Sequence, residues 1–124
     1  MKSENVVLEK SFQFATRVVK LYKHLMTNAH NRVLATQVLK SDTSIGANVH
    51  EAVRSQSRNE FIAKMNIALK ESYETEYWLR LLHETDYIQT NEFESIFSDC
   101  RDLTNIVAKI IITTKENTPN EKTK

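Results

Sequence analysis

The chain of 124 residues holds one glycine, Gly46, and one proline, Pro119. That scarcity constrains the fold more than any motif does. Sheet proteins turn often, and tight turns draw on Gly and Pro for backbone angles that other residues resist. Pro119 stands near the end, so almost the whole chain must run without turn formers. The remaining solution is a few long helices joined by short polar links. With 40% hydrophobic residues the chain can bury one core, and halves of it would be too small to be stable alone.

Hydrophobic periodicity places four helices. The first is predicted from Asn5 to Met26, with Leu8, Phe12, Ala15, Val19, Tyr22 and Met26 as a seam spaced 4, 3, 4, 3 and 4. Phe14, Val18, Leu21 and Leu25 make a second line beside it, so the helix is expected to touch two neighbours. Thr27–Asn31 reads as a turn, with Asn28 or Asn31 capping the next helix. The second helix is predicted over Asn31–Val53, carried by Leu34, Val38, Ser41, Ile45, Asn48 and Ala52, although its Asp42–Gly46 stretch is rich in poor helix formers. Small side chains there permit close helix approach. Ser57 followed by Glu60 is a capping box that opens a third helix running to His83, with Phe61, Met65, Ala68, Ser72, Thr75, Leu79 and Leu82 on one face. After a turn over Glu84–Asn91, in which Tyr87 and Ile88 fold back as a lid, Thr90 caps a fourth helix. That helix carries Phe93, Ile96, Phe97, Cys100, Leu103, Val107, Ile110 and Ile111. Short links make sequential helices antiparallel, so the expectation is an all-α, up-down-up-down four-helix bundle over residues 1–115. Residues 116–124 read as a polar, disordered tail.

Several chemistries lack their residues. One cysteine, Cys100, excludes an internal disulfide, and its place on the apolar seam suits a small hydrophobe. None of His24, His30, His50 and His83 has a His or Cys three or four residues on, as helical metal ligands require, and no Glu-x-x-His occurs. There is no glycine-rich phosphate loop and no nucleophile elbow. Charges interrupt every apolar run of the first 25 residues, and no run approaches the ~20 apolar residues of a membrane span. A cytoplasmic protein without cofactor and away from the membrane is the expectation.

Three groups remain as candidate binding residues. Net charge is +1, yet residues 1–40 carry seven Lys or Arg against Glu4 and Glu9, a net of +5. Arg17, Lys20, Lys23 and Arg32 are therefore candidate nucleic-acid contacts; the same charges could pair with acidic helices of this bundle or of a neighbouring subunit. Asn48, His50, Glu51, Arg54 and Arg58 form a candidate polar cluster at the corner between helices two and three. Tyr73, Tyr77 and Trp78 fit a core or a subunit interface, where Tyr and Trp are favoured, better than a base-stacking surface.

Ser44-Ile45-Gly46-Ala47-Asn48-Val49-His50-Glu51-Ala52 resembles a bacterial family of four-helix bundles. Its members were first noticed as proteins encoded in intervening sequences of large-subunit ribosomal RNA genes and are often labelled S23 ribosomal proteins. The family shows Ser-Ile, then Asn-Ile, then Ala-Glu-Gly; here Ser44, Ile45, Asn48 and Glu51 match, while His50 replaces Ala and Ala52 replaces Gly. Ser57, Glu60 and Phe61 resemble its Ser-x-x-Glu-Phe. The run Ala68–Leu79 resembles its Ala-x-x-Ser-x-x-Glu pattern, and Tyr87-Ile88 its Gly-Tyr-Leu, with Asp86 in place of Gly. The likeness covers most of residues 8–112. It implies an up-down bundle assembled as a barrel-like homopentamer, which would cover apolar surface left on helix three. One relative, the accessory protein of diversity-generating retroelements, is strongly basic and works with nucleic acid, which a charge of +1 does not match. The expectation is a non-catalytic homo-oligomeric binding or scaffold protein. The alternatives are an adaptor for ribosomal or other structured RNA, and a metal-binding or enzymatic bundle.

Overall fold

The computed structural model describes residues 2–29 and 32–117. Four helices account for nearly all of them: α1 Lys2–His24, α2 Arg32–Val53, α3 Arg58–Glu84 and α4 Thr90–Glu116. Each packs on its chain neighbours and α1 closes against α4, while the diagonal pairs α1–α3 and α2–α4 make no close backbone contact among the described residues. This is the packing of an up-down-up-down bundle.

α2 is continuous through Asp42–Gly46, the stretch whose propensities favour a break. The reason is burial: Val38, Ser41, Asp42, Ile45, Val49 and Ala52 all lie in the interior, and tertiary contact outweighs weak local preference. α1 corrects the seam assignment. Val7, Ser11, Phe14, Val18, Leu21 and Leu25 form the buried stripe, spaced 4, 3, 4, 3 and 4. The parallel line through Leu8, Phe12 and Val19 is the outer flank, with Phe12 74% exposed. Two heptad-like lines one residue apart are both legal on one helix, and only the neighbours decide which goes inside. The predicted turn after Met26 is also different, because Leu25–Ala29 forms a π-helical turn. The side chain of Asn28, all of Asn31 and the tail from residue 118 onward lie outside what the structure describes, so the two assigned caps do too; α4 itself runs through Glu116.

Ser57 caps α3 as its sequence signature predicts, its hydroxyl accepting from the Glu60 amide at 3.0 Å. The start of α4 departs from expectation. Gln89 is the N-cap and makes no side-chain bond, and Thr90 is inside the helix with its hydroxyl 3.1 Å from Nε2 of His83. The His83 ring stacks on Phe93 at 4.3 Å, joining the end of α3 to the beginning of α4. Between them Asp86 takes φ of 67°, and the Tyr87 amide reaches back to the Leu82 carbonyl at 2.9 Å. This is a left-handed helix stop of the kind glycine usually fills. Ile88 is buried below it, whereas Tyr87, expected to fold back with it, is exposed.

Gly46 is in the opposite situation. A Cβ there would meet nothing within 4 Å, so close approach inside this chain does not explain it. The two positions thus have exchanged residues from the standpoint of backbone entropy and strain. Gly46→Ala and Asp86→Gly should each stabilise the fold, by about 0.5–1 kcal/mol. Urea denaturation would register each as a higher midpoint at unchanged slope.

Candidate functional site

The described side chains meet in a polar layer halfway along an otherwise apolar core. On the α2–α3 side, the Thr75 hydroxyl lies 2.9 Å from Ser41 Oγ. On the α3–α4 side, buried Glu76 accepts from Thr104 Oγ1 at 2.9 Å and from Arg101 at 3.1 Å. The Cys100 thiol rests 3.7 Å from the Ser72 carbonyl oxygen. α1 joins α4 from outside the layer, where the Arg17 guanidinium contacts Asp99 at 2.6 Å and Ser95 at 2.8 Å.

Asp42 is the exception in this layer. It is 1% exposed, and neither carboxylate oxygen has a hydrogen-bond partner among the described residues. Loss of water without replacement disfavours the charged form. Burial therefore pushes its pKa from an ordinary 3.8 up to about 7. The Cys100 thiol is pushed up as well, first by burial and then by the carboxylates of Glu76 and Asp42. It stays protonated at neutral pH, which removes the thiolate a nucleophile needs. Sequence reading missed Asp42, although the spacing Val38, Asp42, Ile45, Val49 puts it on a core stripe. Among the described residues no group of three or more His, Cys, Asp or Glu is placed to hold a metal ion.

The candidate corner cluster does not converge. Asn48 turns back on its own helix and donates to the Ser44 carbonyl at 2.8 Å. Glu51 pairs with Lys64 of α3 at 2.8 Å, and this contact raises the pKa of Lys64. Arg58 donates to the Asn117 carbonyl at the end of α4. His50 faces the other way, beside Leu8 and Phe12 of α1, in a shallow depression, and Arg54 is exposed. The corner is held by separate contacts to three helices. A cleft of about 1020 Å³ opens at this end, with Val6, Phe61, Ile106 and Ile110 on its wall and Arg58 and Lys109 among its polar residues.

Of the candidate nucleic-acid contacts, Arg17 is engaged by α4, whereas Lys20, Lys23 and Arg32 are exposed near the α1–α2 connection. The aromatic group divides too. Trp78 is half-buried, its indole N–H 3.4 Å from Glu74 Oε1 and its ring edge-on to Tyr77 at 5.0 Å. Tyr73 and Tyr77 are 51% and 58% exposed. Helical geometry places Tyr73, three residues before Glu76 and about 60° round from it, on the flank of α3 turned towards α4, and Tyr77 further round towards the outer face. Phe12 lies on the flank of α1 turned towards α2, beside His50, and Val19, seven residues on, shares that flank. The surface therefore bears two apolar stripes on different faces. No helix among the described residues is long and apolar enough to cross a membrane.

The buried carboxyl gives a sign-definite expectation. A raised folded pKa means that the native state holds the proton more tightly than the unfolded chain. Stability from this group is complete below about pH 4, is lost as pH rises towards 7, and is flat above it. Each pKa unit corresponds to about 1.4 kcal/mol, so the loss amounts to several kcal/mol. Chemical denaturation between pH 4 and 8 should show Asp42→Asn losing most of this slope relative to the parent chain. It should also be the more stable protein at pH 8.

Comparison with known proteins agrees with this architecture. The family model described as 23S rRNA-intervening sequence protein matches residues 3–109. A crystal structure from Bacteroides thetaiotaomicron, described as a protein of unknown function from the S23 ribosomal protein family, superposes with a TM-score of 0.86 at 50% identity. The match covers 88% of this chain and 97% of that one. No curated protein matches this chain.

Proposed function

The chain belongs to the 23S rRNA-intervening sequence protein family, and from that premise we propose that it is a non-catalytic bundle that works by assembling with copies of itself into a scaffold. The observation that carries this reading is the pair of exposed apolar stripes. Phe12 is 74% exposed and Tyr77 58%, each beside further apolar neighbours, on a bundle whose own core is already closed. Scattered surface hydrophobes are ordinary, but aligned ones on a helix flank are the surface that association removes from water. The polar layer suits a structural part better than a catalytic one. Its thiol is held protonated, and its carboxylate Glu76 is occupied by Arg101 and Thr104. A homopentamer is the assembly the family resemblance favours, in a cytoplasmic setting without a cofactor.

One observation favours a second reading, an adaptor for structured RNA. Lys20, Lys23 and Arg32 stand exposed at one end of the molecule, where they could meet a phosphate backbone. Arg17 is withdrawn from that role by Asp99 and Ser95.

Sedimentation equilibrium of the purified chain, followed by titration with structured ribosomal RNA fragments across a salt series, separates the two. Self-assembly predicts a mass several times that of the chain, stable to moderate salt, with no selective RNA affinity. A chain that stays monomeric at tens of micromolar would end the scaffold reading. Selective binding that weakens steeply with salt, and is reduced by Lys20→Glu with Lys23→Glu, would establish the RNA reading in its place.

A further inference from the structure

The two ends of an up-down bundle are not covered alike. The α1–α2 and α3–α4 links both lie at one end, where Ile88 is buried beneath the Asp86 stop and the His83 ring lies on Phe93. The opposite end has one link, residues 54–57, which joins α2 to α3. No link crosses there between the start of α1 and the end of α4. The cleft of about 1020 Å³ lies at this end, with walls from all four helices. Its size is at the upper end of the roughly 300–1,000 Å³ usual for small-ligand sites, which in bundles form between helices.

The lining has two characters. Val6 of α1, Phe61 of α3, and Ile106 and Ile110 of α4 make its sides apolar, and Val6 is 41% exposed. Arg58 and Lys109 bring two cations, both exposed, from α3 and α4. Nη1 of Arg58 donates to the Asn117 carbonyl at 2.9 Å, which anchors the guanidinium beside the cleft. Among the described residues, neither its other nitrogens nor the Lys109 ammonium has a hydrogen-bond or ion-pair partner. Glu4 is the one acid among the described residues of the lining, so cations outnumber acids there.

Each half of this lining rejects a different class of occupant. A purely apolar molecule would take water from the cations and return no acceptor to them. A nucleic-acid phosphate would meet the cations and leave the apolar sides wet. Residues 118–124, which follow Asn117 at the edge of the cleft, hold no Val, Leu, Ile, Met or aromatic residue to fill it. What answers both halves is an anion with a hydrocarbon chain. We propose that the cleft binds an alkyl carboxylate, its chain laid along Val6, Phe61, Ile106 and Ile110 and its carboxylate held by Arg58 and Lys109. The planar fork of Arg58 matches a carboxylate in shape as well as in charge. This site is separate from the apolar stripes through Phe12 and Tyr73, and it does not depend on how copies of the chain assemble.

Isothermal titration calorimetry tests the head group and the chain separately. The full chain, in whatever assembly state it adopts, is titrated at neutral pH with octanoate, decanoate and dodecanoate below their micelle concentrations. Saturable binding is expected, tightening by about two- to fourfold for each added methylene. Decanol should bind about tenfold more weakly than decanoate, and decylammonium more weakly still. Arg58→Gln combined with Lys109→Gln should weaken decanoate by about tenfold or more and leave decanol unchanged. Lys20→Gln, at the other end of the bundle, should change neither. Both cations are exposed, and circular dichroism checks that the double variant is folded; if it is not, Lys109→Gln alone takes its place, with a smaller loss in the same direction. Amide shifts on adding decanoate should centre on Phe61, Ile106 and Ile110. Absence of saturable binding, decanol binding as tightly as decanoate, a folded variant that binds decanoate as the parent does, or shifts centred away from the cleft would each overturn the proposal.

Discussion

A carboxylate buried inside a bundle must keep its partners or cost several kcal/mol. Glu76 keeps them from one helix only: Thr104 holds one oxygen and Arg101 the other, both from α4. Sliding or rotating α4 by a single residue would strand the charge. This requirement fixes how α3 sits on α4, and the neighbouring Ser72–Cys100 contact lies in the same register. On the other side of α3, Thr75 and Ser41 match polar atom to polar atom with α2. A core of Leu, Ile and Val alone would tolerate several registers of nearly equal energy. The polar layer selects one of them, and which side chains are left outside follows from that choice.

Asp42 occupies the same layer without this provision. It sits where α2 packs inward, one residue from Ser41, yet no described group answers its oxygens. Two carboxylates at similar depth thus differ in what surrounds them. Glu76 has a cation and a hydroxyl beside it, and Asp42 has only the loss of water. The weakest point of the core lies in the helix whose sequence already has the poorest helix formers. Packing from both neighbours keeps α2 helical in spite of it.

Most of the interior was legible. Met65, Ala68, Ser72, Thr75, Leu79 and Leu82 on α3, and Ile96, Cys100, Leu103, Val107 and Ile110 on α4, are buried as their spacing requires. Polar side chains were harder. A stripe read only for apolar residues passes over Asp42, Thr104 and Ser11, although all three fall at core spacing. The corner of Asn48, His50, Glu51, Arg54 and Arg58 looked like one cluster because its members are close in sequence. Adjacent helical positions point about 100° apart, and in the structure they face three different helices. Arg17 was legible as a cation but not as a tie to Asp99, which is distant in sequence.

By itself the sequence determined that this protein is four long helices in an antiparallel order. One glycine and one proline leave no other means of folding, and heptad-like spacing names a helix wherever it recurs. It also determined the charge contrast between α1–α2 and α3–α4, since that is a matter of composition. Tertiary structure alone decided which of two parallel apolar lines on α1 is core and which is surface. It alone decided which buried carboxylate is paired. A helix repeats every 3.6 residues whatever lies beside it, so periodicity can say that a face exists. Only the neighbouring helices can say which way that face turns.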